Sequence, residues 1–160
     1  YTSRLHYGAD WINDNNRKGI IEDITATHSK DTHMINLSFM SQHPDKYKHL
    51  KNNPVNVAYM ANVEKQLSGQ EIHWIPKHKL PDEGFPWIHD GDIIMLTTNI
   101  RGLDGSHMGL ATYQNGKLHL LHASSVDKRV VVDKRTLRNQ LAQRQHVTGI
   151  RVIRARVIPL

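Results

Sequence analysis

A chain of 160 residues with 38% hydrophobic and 22% charged residues has the composition of a folded domain, with no low-complexity tract and no shift that marks a second domain. Its longest apolar stretches, such as residues 93–96, fall far short of the roughly 18 to 20 residues that cross a bilayer, so no transmembrane segment is expected. A formal charge of +6, with twelve histidines besides, suits an anionic partner (nucleic acid, membrane surface or acidic cell wall), and the lack of cysteine removes disulfides, thiolate metal sites and a sulfur nucleophile from these residues.

Residues 1–160 are therefore expected to form one domain around one core. The first residue is Tyr1, with no n-region or h-region, so a secretory signal would have to lie upstream. The opening SRLHYGADWINDNNRKG predicts a helical turn around residues 10–15 that ends in a turn at Gly19. Rough alternation in THMINLSFM predicts a strand over residues 32–40, leading to His43 and to Pro44, which could start a helix. Residues 54–67 space Val55, Ala58, Tyr59, Val63 and Leu67 on one helical face, with Pro54 suited to the first turn and Gly69 to the stop.

Beyond this helix EIHWI (71–75) is a short strand candidate, and Pro76, Pro81, Gly84 and Pro86 mark a loop. Residues 92–98, 107–114, 117–124, 129–133 and 148–158 then carry strand composition. They are interrupted by a short helix over 136–145, with Thr136 as its cap and Leu137 and Leu141 on one face. Helices first and strands after predict an α+β domain with a mostly antiparallel sheet. Basic residues crowd the last third (Lys128, Arg129, Lys134, Arg135, Arg138, Arg144, Arg151, Arg154, Arg156), and a solvated basic face is the expectation there.

Asn115-Gly116 between alternating strands is the preferred dipeptide of a two-residue type I′ hairpin, and it fixes a register. If Gln114 faces Lys117, His107 faces Ser124 and Gly109 faces His122, so His107 and His122 are diagonal neighbours on one face. Their Cα atoms would be roughly 7 to 8 Å apart, close enough for the imidazoles to hydrogen-bond. Gly109 leaves room beside them for a substrate or a partner backbone. A histidine whose second nitrogen is held by another polar group is a general-base arrangement. Spacing alone favours two sheet histidines that line a partly buried sheet and satisfy one another over a catalytic pair. Ser106 and Ser124 lie near, but neither stands on a strand-to-helix turn of the kind that activates a serine.

The ordered segments Gly91-Asp92-Ile93-Ile94, Ser106-His107-Met108-Gly109-Leu110, Asn115-Gly116 and Leu121-His122-Ala123-Ser124 resemble the C-terminal half of the NlpC superfamily of papain-like cell-wall cysteine peptidases. The resemblance implies a papain-like fold, His107 as the catalytic histidine and His122 as the polar residue that orients it. Ser3-Arg4-Leu5-His6-Tyr7 with Asp10-Trp11-Ile12 is similar to one branch, whose characterised members are N-acetylmuramoyl-L-alanine amidases, and extends the likeness over nearly the whole chain. It implies a peptidoglycan or muropeptide substrate, export to the periplasm or cell envelope, lipid anchoring through an upstream segment in some cases, and no cofactor. Arg4, His6 and Tyr7 become candidate substrate residues, against capping or packing roles, and Trp11 a core residue.

The family's nucleophile is a cysteine at a helix N-terminus, which these residues lack. Either the chain is the part that follows that helix, which the position of SRLHY favours, or it is an inactive cell-wall-binding homologue. A nucleic-acid module is a further alternative, but no RNP-like aromatic pair, zinc knuckle or recognition helix accompanies the basic charge. Metal binding is not expected: on a strand His119 and His122 point to opposite faces, and His73, His78 and His89 fall in or near the Pro-rich loop.

Overall fold

Hydrophobic period changes along the chain, and the elements follow it. The computed structural model describes residues 1–156. In order these form α1 (Gly8–Arg17), β1 (Ile21–Asp23), α2 (Thr25–His28), β2 (Thr32–Met34), α3 (Phe39–Gln42), a 3-10 turn (Pro44–Lys46) and α4 (Pro54–Leu67). Then come β3 (Glu71–His73), β4 (Ile75–Pro76), a 3-10 turn (Lys77–Lys79), β5 (Ile93–Thr98), β6 (Gly105–Gln114), β7 (Lys117–Ser124), β8 (Arg129–Val132), α5 (Leu137–Ala142) and β9 (Val147–Ala155). Seven strands share one sheet in the order β1-β9-β5-β6-β7-β8, with β4 also on β9, while β2 and β3 pair apart from it. The pairings are antiparallel, as expected of the α+β order.

The central strands β5 and β9 are covered on both faces and read as continuous apolar runs, whereas β7 alternates buried and open positions because one of its faces is less covered. On one face Ile94, Leu96, Ala111, Leu118, Leu120, Ile150 and Val152 pack against Leu137 and Leu141 of α5. Each of these buried leucines contributes about 1.5–3 kcal/mol through removal from water. On the other face Met95 and Ile153 pack with Ile21 of β1 and Ile12 of α1, and the half-buried Trp11 rests against that group. A third cluster joins Tyr7 and Ala9 to Met40, Met60 and Leu67 of α3 and α4. The single core expected from the sequence is thus three clusters, because the sheet separates two of them and the helical layer encloses its own.

Several local expectations are corrected. The first helix spans Gly8–Arg17, longer than one turn. The strand expected over 32–40 ends at Met34, where its partner β3 runs out; Leu37 N–H then donates to Ser68 Oγ, and Ser38 and Phe39 N–H donate to the Gly102 carbonyl, turning the chain into α3. Pro44 begins a 3-10 turn rather than a helix. Helix α4 has the predicted bounds, and the Asn53 side chain caps it by accepting from Asn56 N–H. Its buried residues, however, are Met60, Glu64 and Leu67, while Val55 and Tyr59 are 76% and 47% exposed. The buried Glu64 carboxylate, which accepts from the Tyr7 hydroxyl and Ser41 N–H, is what turns that face inward. Strand β1 and helix α2 were not expected, and the predicted strand positions 157 and 158 lie outside the described residues.

Candidate active site

The hairpin builds the site. Asn115 and Gly116 both take positive φ, 50° and 74°, as a type I′ turn requires, and the pairs from Gln114↔Lys117 to Leu110↔Leu121 keep the predicted register. Beyond Leu110 the β6–β7 ladder ends, and the start of β6 is held by β5 through Ile94↔Gly109 and Leu96↔His107. A side chain at Gly109 would meet the Leu121 carbonyl oxygen at 2.7 Å and Leu120 Cδ1 at 2.8 Å. The space expected there for a substrate is therefore filled by β7 itself. The diagonal survives the end of the ladder: His107 Nε2 and His122 Nδ1 are 2.8 Å apart, with the rings nearly perpendicular at 87° and centroids 5.0 Å apart.

His122 is 6% exposed and His107 half-buried. Two cavities meet at His107. One, of about 420 Å³, is walled by Ser106, His122, Ser124, Arg144 and Val147, and another, of about 220 Å³, by His6, Gly8, Met95, Gly105 and Met108. Burial, then His122, then the Arg144 guanidinium hold His107 below the usual imidazole pKa, so it is a neutral base near pH 7. Arg144 was not singled out by sequence beyond the basic cluster, and among the described residues its side chain has no hydrogen-bond or ion-pair partner. Asp104 was also missed; it is buried, and its carboxylate accepts from Ala9 N–H at 2.5 Å and Gly105 N–H at 2.9 Å, tying the start of α1 to the start of β6. That tie brings His6 beside His107.

The other candidates separate by environment. His6 shares the smaller cavity with His107, donates from Nε2 to the Tyr1 carbonyl at 3.0 Å, and packs its ring on Tyr1. Arg4 is exposed and lines neither cavity. Tyr7 is 3% exposed in the helical core; its hydroxyl donates to Glu64 Oε1 at 2.6 Å and accepts from Met40 N–H at 3.0 Å, which is the packing alternative rather than the pocket. Ser124 donates to Asp127 Oδ2 at 2.7 Å and accepts from Asp127 N–H, so its hydroxyl locks the β7–β8 turn. His119 faces away from His122 and donates from Nδ1 to the Asp133 carbonyl, while His78 and His89 are exposed and His73 donates to the Ser29 carbonyl. Asp92 of the Gly-Asp motif is buried, paired with Arg154 through both carboxylate oxygens and accepting from His89 N–H, so it anchors the approach to β5.

The basic residues of the last third divide: Lys128, Arg129, Lys134, Arg135, Arg138 and Arg156 are exposed, as expected of a solvated face, while Arg151 is buried and Arg144 and Arg154 are half-buried. Arg151 is 4% exposed and paired with Asp23, Arg135 with Asp133, Arg154 with Asp92 and Arg156 with Glu22. Among the described residues no three His, Asp or Glu side chains converge as metal ligands, and no helix is long and apolar enough to cross a membrane.

No curated protein is significantly similar to the chain. Solved structures are. A Bacteroides fragilis protein provisionally named a xylanase shares 58% identity at a TM-score of 0.94, over 96% of this chain and 67% of its own. An N-acetylmuramoyl-L-alanine amidase from Bacteroides uniformis shares 54% at 0.97, over 98% of this chain and 66% of its own. A Legionella pneumophila protein at 23% identity and a TM-score of 0.66 shares the fold. The chain thus spans about two thirds of the length of the relatives it matches. A profile described as N-acetylmuramoyl-L-alanine amidase-like (AmiA-like) matches residues 1–150, and the chain belongs to that family.

Proposed function

We propose that the chain is the histidine-bearing part of a papain-like, NlpC-type peptidoglycan amidase that cleaves the bond between N-acetylmuramic acid and L-alanine. The observation that carries this reading is the perpendicular, 2.8 Å His107–His122 pair at the meeting point of two cavities. The chain has no cysteine, so the nucleophile is a thiolate from a part of the protein outside these residues. In this reading His107 stands beside that thiolate and passes protons to and from the reacting groups, and His122 fixes its ring.

Neutral His107 takes the proton of the nucleophile's thiol, the resulting thiolate adds to the lactyl carbonyl carbon, and the tetrahedral oxyanion collapses as the C–N bond breaks. Protonated His107 gives its proton to the departing L-alanine nitrogen. Neutral His107 then takes a proton from water as that water adds to the thioester, releasing the muramic carboxylic acid and the thiolate. Arg144 on the cavity wall, without a side-chain partner among the described residues, would attract the carboxylates of the peptide stem. Such a protein would act in the cell envelope, after export.

The xylanase name of one relative raises glycoside hydrolysis as a second reading. That chemistry uses two carboxyl groups roughly 5 to 9.5 Å apart across the bond. The described residues lining the two cavities at His107 include no Asp or Glu, which favours the amide. Mass spectrometry of products from purified muropeptides treated with the full-length protein separates the readings. Free peptide beginning at L-alanine is expected; shortened glycans with intact stems, or unchanged substrate, would sink the amidase reading and leave a glycosidase or a wall-binding homologue.

A further inference from the structure

The His107–His122 pair does not end at His122. Among the described residues the buried Nε2 of His122 has no hydrogen-bond partner, and the carboxylate Oδ2 of Asp133 stands 3.7 Å from it. We propose that Asp133 is a positioning residue: it holds His122 in the tautomer protonated at Nε2, so that His122 Nδ1 accepts from His107 Nε2–H and His107 keeps an unprotonated Nδ1. This rests on the amidase reading, in which that free nitrogen moves the proton.

The sheet makes the same offset twice. The β6–β7 register places His107 diagonal to His122, and the β7–β8 pairs His122↔Val131 and Leu121↔Val132 place Asp133 diagonal to His122 on the next strand. Three polar side chains therefore step across β6, β7 and the end of β8 on one face, at a spacing that long side chains bridge. The backbone at Asp133 is fixed on both sides: its N–H donates to the Leu120 carbonyl at 2.9 Å, and its carbonyl accepts from His119 Nδ1 at 2.8 Å.

The carboxylate is equally constrained. Arg135 donates from Nε to Oδ1 at 3.0 Å, from Nη2 to Oδ2 at 2.7 Å and from its backbone N–H to Oδ1 at 2.9 Å. Those bonds keep Asp133 ionised and stop it from turning away. An anion that can only accept, facing a buried imidazole nitrogen, selects the tautomer that carries a proton there. At 3.7 Å the contact is longer than a hydrogen bond, so its influence is electrostatic until it shortens. The proton on Nε2 then leaves Nδ1 as an acceptor, and the 2.8 Å contact to His107 has one direction instead of two.

Long-range proton–nitrogen NMR of the histidine rings in the full-length protein at fixed neutral pH, alongside kcat and KM on muropeptide, tests this. In the wild type, His122 and His107 are both expected to carry their proton on Nε2. Asp133→Asn is expected to mix the His122 tautomers and lower kcat by roughly 10- to 100-fold with little change in KM, and Asp133→Glu to recover part of the loss. A wild-type His122 protonated at Nδ1 would overturn the proposal without any variant. So would an Asp133→Asn protein with unchanged tautomers and kcat. If the wild type cleaves no muropeptide, the amidase reading fails by itself, while the tautomer signal still decides whether Asp133 sets the pair.

Discussion

His107 is held neutral by causes that can be removed one at a time: burial, the neighbouring His122 and the Arg144 guanidinium. A histidine with these neighbours should titrate below about 6.5, and Arg144→Ala should move its midpoint upward by taking away one positive charge. NMR titration of the histidines reads both; a wild-type midpoint above 6.5, or no upward movement in the variant, would contradict the assignment. Tyr7 is the contrasting residue. It stands next to His6 in sequence and looks like pocket from the SRLHY motif, yet its ring is core and its hydroxyl joins Glu64 to Met40 N–H. Tyr7→Phe should cost about 1–3 kcal/mol of stability, measured by denaturant unfolding, and leave the KM for muropeptide unchanged. A raised KM at unchanged stability would return Tyr7 to the pocket.

At the scale of elements, the β6–β7 hairpin was legible because its turn is a dipeptide with one strong backbone preference, and the register gave the His107–His122 contact directly. The adjoining β7–β8 turn has no such signal. It is closed by the Ser124–Asp127 side-chain bonds, with Lys128 at φ 53°, so the position of Asp133 diagonal to His122 could not be counted out from sequence. Apolar spacing gave α4 its bounds but not its buried face, because the inward Glu64 is a polar residue whose partners lie 57 and 23 positions away. Gly116 at φ 74° tests the hairpin: Gly116→Ala should destabilise by about 1–2 kcal/mol from the left-handed backbone alone, since no atom lies near its Cβ position. Thermal or denaturant unfolding checks it, and a neutral result would mean the turn relaxes to another type.

For the whole molecule, the order of helices before strands carried the fold class, and most basic residues of the last third are exposed as expected, but their acidic partners were not legible. A linear count of arginines in the last third does not reveal that Asp23, Glu22 and Asp92 come from distant segments to meet Arg151, Arg156 and Arg154. Arg144 lines the cavity, where its charge acts on His107, and among the described residues its side chain has no partner. The protein's stability carries the mark of its histidines as well. His107 and His33 both have folded pKa values below 6.5, chiefly through burial, so the unfolded chain binds more protons as the pH drops past that value. Their contribution is complete above about 6.5 and is lost as the pH falls through the lowered folded values. The unfolding midpoint should therefore decline between neutral pH and about 5, and the decline should be shallower in His33→Ala; an unchanged slope would contradict the buried-neutral account.

The most direct test of the central claim is the rate of L-alanyl peptide release from muropeptides by full-length protein carrying His107→Ala or His122→Ala, compared with wild type. The account predicts a loss of roughly 10²- to 10⁴-fold for His107→Ala and a smaller loss for His122→Ala, both with the fold intact. Wild-type rates in His107→Ala would contradict it and leave the pair as two sheet histidines that only satisfy one another.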